Sequence, residues 1–114
     1  MSRIYKILAR QAWEAAQAAG VFAGSDVDLA DGYIHFSTAA QAGETARRYF
    51  EGQAGLVVLE VEGDSLGDKL KWESSRGGDL FPHLYEALDC SLVSAVHEAP
   101  LGQDNIPVLG DLDP

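Results

Sequence analysis

Asp31-Gly32-Tyr33-Ile34-His35-Phe36-Ser37-Thr38 is the stretch from which the fold can be read. Residues 32–37 are rich in aromatic and β-branched side chains, as strands are. A period of two places Tyr33, His35 and Ser37 on one face and Ile34 and Phe36 on the other, so the apolar pair is expected to face the core. A helix follows with no linker. Thr38 with Gln41 three positions later has the spacing of a capping box, and Ser37 is the alternative cap. Ala42, Thr45, Ala46, Tyr49 and Phe50 give this helix an inward side, and the glycines at 52 and 55 end it. A strand that runs straight into a helix with an apolar side puts both element types into one core.

On the N-terminal side, Ile4-Tyr5-Lys6-Ile7-Leu8 reads as a strand, and residues 11–19 read as an Ala-rich helix carrying Trp13 and Ala16, with Gly20 as its stop. Residues 21–31, punctuated by Gly24, Ser25 and three aspartates, read as a loop. On the C-terminal side, residues 56–61 form the clearest central strand: Val57, Leu59 and Val61 line one face, Leu56 and Val58 the other. A brief helical turn is expected over 65–70, extended chain at 71–73, a loop at 74–79 and two further strands at 84–88 and 92–98. The expected architecture is one α+β domain over 1–99, a split, mainly antiparallel β-structure with two main helices. Residues 100–114, holding three of the four prolines, are expected to form an irregular acidic tail.

Composition narrows the function classes. At 114 residues and 46% hydrophobic, the chain can build a core without metal or disulfide staples. Cys90 is the single cysteine, which excludes an internal disulfide and fits a reducing, cytoplasmic setting. No apolar run is long enough to span a bilayer, and the N-terminus lacks the pattern of a secretion signal. The net charge of −10 arises wholly in residues 51–114, which carry thirteen acids against three bases. Such a surface opposes non-specific binding to nucleic acid or anionic lipid.

Two clusters carry candidate chemistry. In the first, His35 and Ser37 stand beside the start of a helix, whose unpaired N–H groups favour an anion or a ribose hydroxyl. The second runs from Trp72 to Glu86. There, Arg76 is suited to clamp a phosphate or carboxylate, Trp72 or Tyr85 to stack on a planar ligand, and Glu73 or Glu86 to steady developing positive charge. Each cluster also has a structural reading: His35 bonding a neighbouring strand, Ser37 capping a helix, Trp72 anchoring the core. His35, His83, His97 and Cys90 lack the close spacing of a zinc site, and no nucleophile elbow, P-loop or dinucleotide glycine fingerprint occurs.

The segments Ile4-Tyr5-Lys6-Ile7, residues 31–37, Trp72-Glu73 and Leu80-Phe81-Pro82-His83-Leu84-Tyr85 resemble a small bacterial family of unknown function. That family is grouped with the ADP-ribosyltransferase-like superfamily, and the resemblance extends to about Ala99. It implies an antiparallel split β-fold that grips NAD in a cleft. Tyr5-Lys6 matches the first superfamily element, with lysine standing where histidine or arginine is usual. Phe36-Ser37-Thr38 matches the second, and Glu86 the third, in competition with Glu73. The resemblance implies Lys6 and Arg76 on the pyrophosphate, His35 or Ser37 on ribose, Trp72 or Tyr85 on nicotinamide, and Glu86 near the reacting carbon. Three functions follow as expectations: a nucleotide-binding or catalytic protein of this kind, a non-catalytic small-molecule-binding domain, or a protein-interaction module using its acidic half.

Overall fold

The computed structural model describes residues 2–75 and 77–114. In chain order the elements are β1 (Arg3–Ala9), α1 (Arg10–Ala19), β2 (Val21–Phe22), α2 (Asp26–Asp31), β3 (Ile34–His35), β4 (Ser37–Thr38), α3 (Ala39–Tyr49), β5 (Leu56–Glu62), β6 (Leu70–Ser75), β7 (Asp79–Leu84), β8 (Leu88–Asp89) and β9 (Val93–Ala99). Short 3₁₀ segments lie at Gly63–Lys69 and Cys90–Leu92. The fold is α+β. Its strands form a four-stranded sheet in the order β4-β1-β5-β9, a three-stranded sheet β3-β7-β6 and a small pair β2-β8. Among the described residues every strand pairing is antiparallel.

The larger sheet is covered on both faces, which is why β5 is apolar nearly throughout. Ile4, Leu8, Val57, Leu59 and Val61 face a core completed by Trp13 and Ala16 of α1, by Phe22, and by Ile34, Phe36, Leu84 and Leu88. Tyr5, Ile7, Leu56 and Val58 face the other way, onto Ala46 of α3 and onto Phe50, Ile106, Leu109 and Leu112. Alternation along β1 puts Lys6 on the same side as Ile4 and Leu8. Its ammonium is therefore carried into the interior.

The expected strand at 32–37 is divided. β3 pairs with β7 through Ile34↔Leu84 and His35↔His83, whereas β4 pairs with β1 through Ile4↔Thr38 and Tyr5↔Ser37. Phe36 alone separates them. It is buried, and its N–H donates to the Pro82 carbonyl at 3.0 Å. A single step of chain thus passes from one sheet to the other. The expected loop at 21–31 contains α2, started by a capping box between Ser25 and Asp28 and closed by Gly32 at φ +89°. The strand expected at 84–88 lies earlier, as β7 from Asp79, because Pro82 keeps the preceding residue extended and sits within the ladder opposite Trp72.

Candidate functional site

Asp28 is the most connected side chain in the region. It is 1% exposed, and its two oxygens accept from Lys6 Nζ at 3.0 and 2.9 Å. It also accepts from the backbone N–H of Ser25 at 2.9 Å, the backbone N–H of His35 at 3.1 Å and His35 Nδ1–H at 2.6 Å. Burial alone would raise the Asp28 carboxyl. The hydrogen bond from His35, then the charge and hydrogen bond of Lys6, overcome that and hold it well below the usual carboxylate range. Lys6 moves below its usual value, because its own burial outweighs the pull of Asp28. One carboxylate therefore joins β1, the α2 turn and β3.

His35 is 32% exposed, and its other ring nitrogen, Nε2, lies 2.9 Å from Asp31 Oδ2. Carboxylates only accept, so making both contacts at once requires a proton on each nitrogen. Asp31 is itself half-exposed and can yield that place to another acceptor.

Alternation along β3 and β7 sets four rings on one face of the smaller sheet. Tyr33 is their centre: it stacks on His83 at 4.1 Å and 26°, and its centroid lies 4.6 Å from His35 and 5.2 Å from Tyr85. Glu73, from β6 on the same face, lies 2.8 Å from His83 Nδ1 and accepts from the Tyr85 hydroxyl at 2.8 Å. These hydrogen bonds lower the Glu73 carboxyl, and the same bond raises the Tyr85 phenol. The Tyr33 phenol is raised by burial, then by the charges of Asp31 and Glu73. Beside the rings opens a cleft of about 220 Å³, whose walls include Asp28, Leu29, Tyr33, Leu84, Tyr85 and Glu86.

The residues named from sequence are distributed unevenly around this cleft. Tyr85 and Glu86 line it. Lys6 and His35 reach its edge through Asp28, which also lines it. Ser37 does not share the His35 face, because the break at Phe36 moves it into the larger sheet; it is buried, with its Oγ 2.8 Å from Thr45 Oγ1 on α3. The amides expected to await an anion at the start of α3 are engaged: Thr38 N–H donates to Gln41 Oε1, and Gln41 N–H to Thr38 Oγ1. Trp72 neighbours Glu73 along β6 and so points to the reverse face. There, it borders a separate groove of about 300 Å³ with Ser2, Gly63, Asp64, Gly67 and Leu70. That groove is larger but holds no ring cluster and one carboxylate. Arg76 lies outside the described residues.

Sequence alone assigns no role to Asp28, Tyr33 or His83, although it sets Tyr33 on the face of His35. The Ser25-x-x-Asp28 spacing was the available signal for the first. For Tyr33 it is the alternation that sets it on the face of His35, and for His83 the alternation through residues 79–85, once the strand is placed there. Cys90 is partly buried, its Sγ 3.4 Å from the Ala16 carbonyl, and burial raises its thiol. This is the environment of an unreactive cysteine. Among the described residues no group of three or more His, Cys, Asp or Glu side chains is placed to hold a metal ion, and no helix is long and apolar enough to cross a membrane.

Three solved structures are closely similar. The crystal structure of protein CC0527 from Caulobacter crescentus is 55% identical over 96% of both chains, with a TM-score of 0.94. A double mutant of it is 54% identical over the same shares, also at 0.94. The solution NMR structure of CC0527 is 56% identical over 97% of this chain and 96% of that one, at 0.87. No curated protein matches the chain. A family model matches residues 7–96, most of the chain, and by that match the protein belongs to the family described as "Protein of unknown function (DUF952)".

Proposed function

We propose that this chain is a small-molecule-binding domain, and that its ligand presents a planar ring to the cleft beside Tyr33 and Tyr85. The observation that carries this reading is the four-ring cluster, braced by carboxylates and bordering an open cleft. Aromatic walls with a few fixed polar groups are the usual makeup of ligand sites. At about 220 Å³ the cleft is smaller than pockets that enclose drug-sized ligands. It has room for one ring and its substituent rather than a whole dinucleotide.

A second reading is ADP-ribosyltransferase-like chemistry on an NAD-like ligand. The antiparallel, split arrangement of sheets supports it, as does the shared face of His35, Tyr85 and Glu73. In that reading Glu73, tied to His83 and Tyr85, is better placed than Glu86 to act with the rings. Against it, Lys6 is committed to Asp28, and Trp72 and Ser37 stand away from the cleft.

A thermal-shift and NMR titration with nucleosides, nucleotides and small heteroaromatic compounds tests both. Binding is expected to raise Tm by mass action and to move the amides of residues 32–35 and 84–87, with both effects lost in Tyr33→Ala. Shifts confined to the groove at Trp72 would overturn the assignment. Release of nicotinamide from NAD, abolished by Glu73→Gln, would favour the second reading over the first.

A further inference from the structure

We infer that the cleft selects a planar organic cation, such as an amidinium, a guanidinium or a protonated aromatic amine, over a phosphorylated or carboxylated ring. This rests on the cleft being the ligand site and adds the charge of what it takes. Glu86 lines the cleft, Glu73 accepts from the hydroxyl of Tyr85 at 2.8 Å, and Asp31 lies 2.9 Å from the His35 ring that neighbours Tyr33. Asp28 also lines the cleft, but its charge is met by Lys6. Among the described residues, His83 and Lys71 are the groups whose positive charge is felt at Glu73, and His35, with a proton on each nitrogen, adds one between Asp28 and Asp31; four carboxylates still surround them. An anionic group would thus meet three outward carboxylates. It would also find the capping amides of α2 engaged, since Ser25 N–H donates to Asp28 and Asp28 N–H to Ser25 Oγ.

Glu73 is common to both tyrosines: it accepts from the Tyr85 hydroxyl at 2.8 Å, and its charge is felt at Tyr33. Burial first, then the charges of Asp31 and Glu73, raise the Tyr33 phenol, and its hydrogen bond to Glu73 raises that of Tyr85; surroundings that oppose a new negative charge favour a positive one. The exposed Tyr85 ring adds a π face to which a flat cation is drawn. Asp31 and Glu73 are held now by histidine and tyrosine donors that a ligand's N–H groups can replace.

Benzamidine, benzamide and benzoate share one ring and nearly one shape while carrying positive, zero and negative charge. NMR titration of each near neutral pH compares charge alone. Benzamidine is expected to bind about tenfold more tightly than benzamide, with benzoate weakest and added salt narrowing the gap. Asp31→Asn and Glu73→Gln should each reduce the preference for benzamidine severalfold while leaving the circular dichroism spectrum unchanged. Equal binding of the three, or tighter binding of benzoate, overturns the inference and leaves the cleft as a ligand site. If none of the three moves the amides of residues 32–34 and 84–87 at millimolar concentration, the cleft reading fails and the inference with it.

Discussion

Asp28 shows how much one side chain can organise. Lys6 is desolvated, and without a partner its charge would be costly to bury. Asp28→Asn keeps the shape and removes the charge. The expected loss is about 3–5 kcal/mol of unfolding free energy, measured by urea denaturation. Adding Lys6→Met to that variant should restore part of it, because the uncompensated ammonium then disappears. The acid limb supplies a second check. Folding lowers the Asp28 carboxyl below its unfolded value of about 3.9. Its stabilising contribution is therefore complete above roughly pH 5 and is lost as pH falls toward the folded value. Urea midpoints taken between about pH 7 and pH 3 should decline more steeply for the native chain than for Asp28→Asn. Sequence alone showed that Lys6 lies in a strand of apolar neighbours, but not which of three nearby aspartates would meet it. That choice depends on α2, a six-residue helix too short to reveal itself by periodicity.

Among the elements, α3 follows most directly from local chemistry. Its capping box is formed as the Thr38–Gln41 spacing implies, and Gln41 also donates to the Leu80 carbonyl at 2.8 Å, fixing the helix start to β7. Thr38→Ala is expected to cost about 1 kcal/mol, seen as a lower urea midpoint with an unchanged slope. The strand β5 was equally legible, since a run apolar on both faces needs cover on both. The β3–β4 segment was legible in composition and in its buried pair, Ile34 and Phe36, yet not in its division. Alternation assigns faces only while the chain stays in one sheet, so Ser37 was grouped with His35 although the chain changes sheets between them. The Trp72 placement has the same kind of cause. Aromatic and charged residues crowd this part of the sequence, but consecutive strand positions point to opposite faces, and Glu73 rather than Trp72 meets the rings.

At the scale of the molecule, the C-terminal residues close the second face of the larger sheet. The expected irregular tail is irregular, but it is packed: Ile106, Leu109 and Leu112 rest against the cluster of Tyr5, Ile7 and Val58. The Tyr5 hydroxyl donates to the Asp113 carbonyl at 2.5 Å, and Arg3 pairs with the Asp113 carboxylate at 2.7 Å. Prolines and acids make this stretch read as tail: Ile106, Leu109 and Leu112 stand three residues apart, but Pro107 and Gly110 between them break the helix that such a spacing would otherwise suggest. Deleting residues 103–114 is expected to cost about 1 kcal/mol for each of the three partly buried side chains, read as a lower Tm with increased binding of a hydrophobic dye. The net charge of −10 belongs to this scale too, and it keeps the ring-bearing cleft within a molecule whose overall field repels anions.

The passage at Phe36 has a mechanical consequence. With one residue between β3 and β4, no slack joins the two sheets on that side, so a displacement that starts at Tyr33 or His35 is handed on within a peptide unit to Ser37 and Thr38. Thr38 opens α3, and Ser37 sits opposite Tyr5. A ligand pressing on the rings would therefore pull, through this short tether, on α3 and β1, whose Ala46 and Tyr5 share one apolar cluster with the C-terminal segment.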